Sequence, residues 1–138
     1  MMLSRSSITG ILCALVALGA LAGIAVGQTA AAGPTNVATE KMPITVTAGD
    51  YELVNQVLDF PPGSGVPSHT HGGPVALTVL SGELTVVDGT GTHILKAGQS
   101  GTEKGGYTHS AYNKGTVPVR VAVSYLIPKG APMTTMAK

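Results

Sequence analysis

The sequence has no tryptophan, one phenylalanine and four tyrosines, and only 11% of its 138 residues are charged. With so few large rings, its core must be built from aliphatic side chains. Eight lysines and arginines against seven aspartates and glutamates make no basic stripe. That excludes the counterion-releasing surface nucleic-acid binding requires. A single cysteine, Cys13, leaves no intrachain disulfide to hold the fold. In contrast, there are nineteen glycines and nine prolines, with no collagen-like or low-complexity period. They imply many tight turns and so many short strands, and the length is that of one ordinary domain.

The first segment differs from the rest. After Arg5, the run from Ile8 to Val26 carries no charge and is almost wholly apolar or small. Residues 1–27 are therefore expected to be an export signal. Two small-residue cleavage sites remain open, one ending at Gly27 and one at Ala32. The apolar run also approaches the ~20 residues that span a bilayer, so an uncleaved membrane anchor through residues 8–27 is the alternative. Ser4-Arg5-Ser6 lacks a second arginine and Leu12 precedes Cys13, which disfavours twin-arginine and lipoprotein signals respectively. The expectation is a periplasmic or secreted domain, or one anchored outside the cytoplasm, that crosses unfolded and acquires any metal outside. Without Arg5 the acidic and basic residues balance, and long-range electrostatic steering is weak.

Residues 28–43 are rich in Ala, Thr, Gly and Pro and are expected to be a linker, with the folded domain over 44–138. Expected strands run over 44–47, 51–60, 75–80, 83–87, 92–95 and 117–127, separated by pairs such as Ser81-Gly82, Asp88-Gly89 and Lys114-Gly115. Along the last, Val117, Val119, Val121, Val123, Tyr125 and Ile127 share one parity while Arg120 and Ser124 take the other, so one face is core and one is wet. No sustained 3.6-residue apolar period follows residue 28. The fold class is all-β, a sandwich or barrel able to hold a small ligand.

His69 and His71 flank Thr70, so an extended backbone would send both rings to one face, where they could share a metal; the plain alternative is a pair of solvated loop histidines. The pattern around them is more telling. Gly63, five residues, His69-Thr70-His71 and a closing Gly82 are followed by Gly98, Gly106, two residues, His109, three residues and Asn113. This resembles the two motifs of the cupin superfamily over 63–113, with a fifteen-residue interval between Gly82 and Gly98. The resemblance implies a double-stranded β-helix, or jelly-roll barrel, in which His69, His71 and His109 converge on one divalent metal. The chain departs from the motifs twice: Val75 stands where the first usually carries a glutamate ligand, and Lys104 where the second usually has a proline.

Three neutral imidazoles leave coordination positions open, as catalytic sites do. Some cupins similar at these positions, including thiol and diketone dioxygenases, activate oxygen with iron held by three histidines. The resemblance therefore implies a small metal-dependent oxygenase, and alternatively a non-catalytic cupin that holds a metal or small ligand. It leaves the metal open among iron, manganese, zinc, copper and nickel, and admits a homodimer. Loading outside the cytoplasm favours zinc, copper or manganese. With Val75 in the glutamate's place and no carboxylate evident nearby, the ion would keep its full charge and favour a small anionic chelator as substrate or ligand.

Other candidates around such a pocket are Val75 itself, His93, Tyr107 and Tyr112. His93 shares parity with Leu95 and is either an inward fourth ligand or a pocket-edge residue. Tyr107 and Tyr112 flank His109 and either hydrogen-bond a bound ligand or pack at the barrel rim. Glu83 and Glu103 are expected to be solvated turn charges, Asn113 a turn stabiliser, and Met133 and Met136 part of a flexible tail.

Overall fold

The computed structural model describes residues 34–138. The expected export segment, Cys13 and the start of the linker lie outside the described residues. Residues 34–50 form neither strand nor helix. The expected strand over 44–47 is thus corrected: its alternating β-branched residues find no partner strand, and Ile44 and Val46 are each 51% exposed.

Nine strands follow: β1 (Tyr51–Phe60), β2 (Gly65–Thr70), β3 (Val75–Ser81), β4 (Glu83–Asp88), β5 (Gly91–Lys96), β6 (Ser100–Glu103), β7 (His109–Tyr112), β8 (Val119–Pro128) and β9 (Thr135–Met136). They form two antiparallel sheets, ordered β1-β8-β3-β6 and β5-β4-β7-β2-β9. The chain passes back and forth between the sheets, the winding of a double-stranded β-helix, so the all-β jelly-roll expectation holds. Strands β1, β3, β4, β5 and β8 coincide with apolar or β-branched runs. In contrast β2 (GVPSHT), β6 (SGTE) and β7 (HSAY) have little strand propensity. They are strands because neighbours supply their hydrogen bonds, and Pro67 is tolerated within the irregular register between Val66 and His69.

Val75, Leu77 and Val79 of β3 and Val119, Val121, Val123, Tyr125 and Ile127 of β8 face Leu84, Val86 and Ala111 from the other sheet. Each fully buried valine or isoleucine contributes about 1.5–3 kcal/mol relative to exposure. Val117 is excluded from this row: it precedes β8 and is 58% exposed. On the outer face Arg120 pairs with Asp59 across β1 and β8, at 2.7 and 2.8 Å, a solvated contact of small energetic weight.

Asn113 does more than stabilise its own turn. Only 1% exposed, it donates from Nδ2 to the carbonyls of Phe60 and Val117, both at 2.8 Å, and its Oδ1 accepts from the Gly115 N–H at 2.9 Å. Its backbone accepts from the Gly63 N–H and donates to the Ser64 carbonyl. One side chain thus ties the ends of β1, β7 and β8 together. Asn113→Ala strands buried carbonyls, so it should cost about 3 kcal/mol, read as a lower urea midpoint at unchanged denaturant slope.

Candidate metal centre

His69 and His109 are directly opposite each other in the β2–β7 pairing, and His71 follows one residue beyond β2. Residues opposite one another in an antiparallel pair share a face, and here that face is the interior. All three are 3–6% exposed, with ring centroids 4.2 to 5.0 Å apart. They could hold a metal ion, with one nitrogen from each within 4.8 Å of the others.

Their orientation is fixed from behind. The Nδ1 of His69 lies 2.7 Å from the Pro67 carbonyl, that of His71 2.7 Å from the Met133 carbonyl, and that of His109 3.3 Å from the Tyr107 carbonyl. A carbonyl only accepts, so each Nδ1 carries a proton, and in the neutral ring each Nε2 is then a free lone pair. That is the arrangement by which metal-binding histidines are aimed. The two motif loops are also clamped together. The Gly106 N–H donates to the His71 carbonyl at 2.9 Å, and a Cβ on Gly105 would come within 2.8 Å of Gly73 Cα, so glycine is needed at this approach.

Glu103 corrects the sequence reading most. Expected to be a solvated turn charge, it ends β6 with its side chain 14% exposed, and its Oε2 lies 3.3 Å from His71 Nε2 and 3.2 Å from His109 Nε2. It sits directly opposite Val75 on the adjacent strand, so the expectation of no carboxylate near the histidines fails as well. Burial opposes ionisation of Glu103, but hydrogen bonds from His109 and His71 outweigh it and hold its pKa down to about 2. Burial likewise opposes protonation of His109, yet the Glu103 carboxylate prevails and its pKa is raised; His69 is lowered, chiefly by burial. With all three rings neutral, lone pairs on two nitrogens and one oxygen face each other at hydrogen-bond distance. Only a cation, proton or metal, makes that stable, so the donor set fits a divalent ion.

Two cavities meet at this cluster. An inner one of about 160 Å³ is lined by the histidines together with Phe60, Leu77 and Tyr125, and an outer, open one of about 690 Å³ reaches Glu103 and His109 from the β5–β6 side. The remaining candidates distribute around them. His93 lies on the wall of the outer cavity, 48% exposed, with its Nε2 2.9 Å from Thr90 Oγ1 and 3.3 Å from Asp88 Oδ1, away from the three histidines. Tyr107 is at the mouth, 65% exposed, with Lys104 Nζ 5.5 Å from its ring centre. Tyr112 lines neither cavity, because its parity on β7 is opposite to His109 and Ala111, which favours the rim packing among the two roles expected of it. Val75 is buried in the apolar core and also lines neither cavity. Tyr125, read from sequence only as core, has its ring 5.3 Å from His71 and lines the inner cavity. The tail is not loose: β9 pairs with His69 and Thr70, and the Met133 carbonyl and Thr134 reach His71.

A cupin domain family model matches residues 56–127. The chain is 33% identical to a protein from Klebsiella pneumoniae subsp. pneumoniae MGH 78578 described as an uncharacterized conserved protein with a double-stranded β-helix domain. That match covers 67% of this chain and 79% of the other, with a TM-score of 0.51. It is 20% identical to the DMSP lyase DddQ from Ruegeria pomeroyi DSS-3, over 62% of this chain and 43% of that one, with a TM-score of 0.55. An oxalate oxidase in complex with the substrate analogue glycolate is 23% identical, over 62% of this chain and 46% of that one, with a TM-score of 0.53. The chain thus spans less than half of these two enzymes. No curated protein matches it.

Two outcomes follow from the geometry. Metal affinity should fall with decreasing pH, starting above the ordinary imidazole value of about 6.5, because a proton competes earlier at His109, whose pKa is raised, than at His69, whose pKa is lowered. Glu103 stays ionised throughout and adds no competition; chelator titrations between about pH 8 and pH 5 test this. Deleting residues 133–138 removes the acceptor behind His71 and should weaken metal binding about 10–100-fold while leaving the β-sheet circular dichroism intact.

Proposed function

Since the chain belongs to the cupin family, we propose that it binds one divalent metal ion through His69, His71 and His109 and acts as a small metal-dependent oxygenase on a chelating anionic molecule. The observation that carries this reading is the set of three inward Nε2 lone pairs, each fixed by a carbonyl behind it. A metal bound there supplies Lewis acidity and, for a redox-active ion, electrons for oxygen chemistry.

The chain's own residues do the rest. Phe60, Leu77 and Val121 line the inner cavity with apolar surface, which limits water and strengthens charge interactions inside. Tyr125, whose pKa is raised by burial and by Glu103, keeps its proton and can donate a hydrogen bond to an anionic ligand. Glu103 lowers the local positive charge by one unit without cancelling that of a divalent ion, so an anionic ligand remains favoured. The outer cavity supports entry from the β5–β6 side. The uncharged run over residues 8–26 supports export to the periplasm or beyond, with zinc, copper or manganese as the resident ion.

One observation favours the non-catalytic alternative: among the described residues, the carboxylate that reaches the histidines is already engaged with two of them, leaving no free carboxylate there to act as a base. The test joins both readings. Protein reconstituted separately with iron, manganese, zinc, copper or nickel should hold one ion per chain, and His69→Ala, His71→Ala and His109→Ala should each lose about 90% or more of it. Oxygen uptake should then appear with a small chelating carboxylate, enolate or thiolate and vanish in His109→Ala. Saturable binding without oxygen uptake for any redox-active ion would leave the non-catalytic cupin standing.

A further inference from the structure

Glu103 is a carboxylate with no lysine or arginine partner among the described residues; Lys104 lies instead over Tyr107. Its side chain is nearly buried, and its Oε2 is within 3.3 Å of both His71 Nε2 and His109 Nε2. We propose that Glu103 is a fourth ligand to the metal, supplied from β6 in place of the carboxylate missing at Val75 on β3. The inference rests on the metal site proposed above.

Three observations carry it. The first is register: Val75 and Glu103 are opposite one another in the antiparallel β3–β6 pair and share one face, their Cβ atoms roughly 4.5–5.5 Å apart in such pairs. A glutamate has the length to cover that offset, so the carboxylate enters the same interior from the neighbouring strand. The second is spacing: ligand atoms bonded at about 2.1 Å to one ion lie roughly 3.0–3.4 Å apart in octahedral to tetrahedral geometry. The observed 3.2 and 3.3 Å fall in that range.

The third is the proton inventory. Both nitrogens facing Glu103 belong to rings whose Nδ1 already donates to a carbonyl. An ionised Glu103 only accepts, so it could hydrogen-bond them only if a ring were doubly protonated, and such a ring cannot ligate. One ion shared by all four groups satisfies every lone pair at once and provides the positive charge a buried carboxylate needs.

Cobalt(II), alone and without substrate, is the probe, because its visible absorption reports donor set and coordination number, and chelator competition reports affinity. On the full chain, Glu103→Ala and Glu103→Gln should each weaken cobalt binding about 100-fold or more and alter the spectrum, since an outer-shell partner alone costs 10–100-fold. Val75→Glu in the Glu103→Val background should recover binding to within about tenfold of the wild type by returning the carboxylate to β3. Glu103→Ala and Glu103→Gln proteins that keep wild-type affinity and spectrum, beside a His109→Ala control that binds no cobalt, would overturn the role of Glu103 and leave the histidine site intact. A His109→Ala protein that still binds cobalt would overturn the histidine site itself, and the assignment of Glu103 with it.

Discussion

Three hydrogen bonds, each from an imidazole Nδ1–H to a backbone carbonyl, decide what the interior of this barrel can be. Each comes from a different place: Pro67 from the irregular start of β2, Tyr107 from the loop before β7, and Met133 from the tail beyond β8. Once they are made, the rings cannot turn their protonated nitrogens inward, and the centre of the fold is left with three lone pairs and a carboxylate. Such a centre is unstable as a dry core and stable as a cation site. The tail, the bulged strand and the glycine-tight contact between the motif loops are therefore parts of one device.

The division of labour between the sheets follows from the small amount of apolar material. With one phenylalanine and no tryptophan, stability is concentrated in the valine rows of β3 and β8, which are nearly fully buried. The other sheet gives two inward positions, on β2 and β7, to histidine, and packs Leu84, Val86 and Ala111 around them. Asn113 compensates at the barrel end, where polar cross-links replace the missing apolar contacts. Most of the buried valine surface thus lies on one wall and the histidine strands on the other, which lets the histidines change without removing the core, while Glu103 and Tyr125 reach the site from the valine wall.

How much of this was legible varied with what each residue answers to. The strands over β1, β3, β4, β5 and β8 were readable because their apolar residues alternate and their turns carry glycine, and the three histidines were readable because their spacing forms a motif. The short polar strands β2, β6 and β7 were not, since their backbone hydrogen bonds come from distant partners rather than from propensity. The apolar segment over 44–47 had the right pattern and no strand to pair with. Tyr112 had the right distance in sequence from His109 and the wrong parity.

Glu103 is the clearest instance of a role invisible in one dimension. Flanked by Lys104 and two glycines, it has the local grammar of an exposed turn, and nothing within ten residues marks it as buried. What places it beside His71 and His109 is the pairing of Val75 with Glu103, a contact between strands separated by an entire hairpin. In an antiparallel sheet, opposite positions present their side chains to the same space, so a functional group lost on one strand can be provided by its neighbour without moving the backbone. A motif records the strand on which a group usually sits, whereas the chemistry depends only on where its atoms end. Here the oxygen ends within 3.3 Å of two ligand-type nitrogens, although the motif position holds a valine.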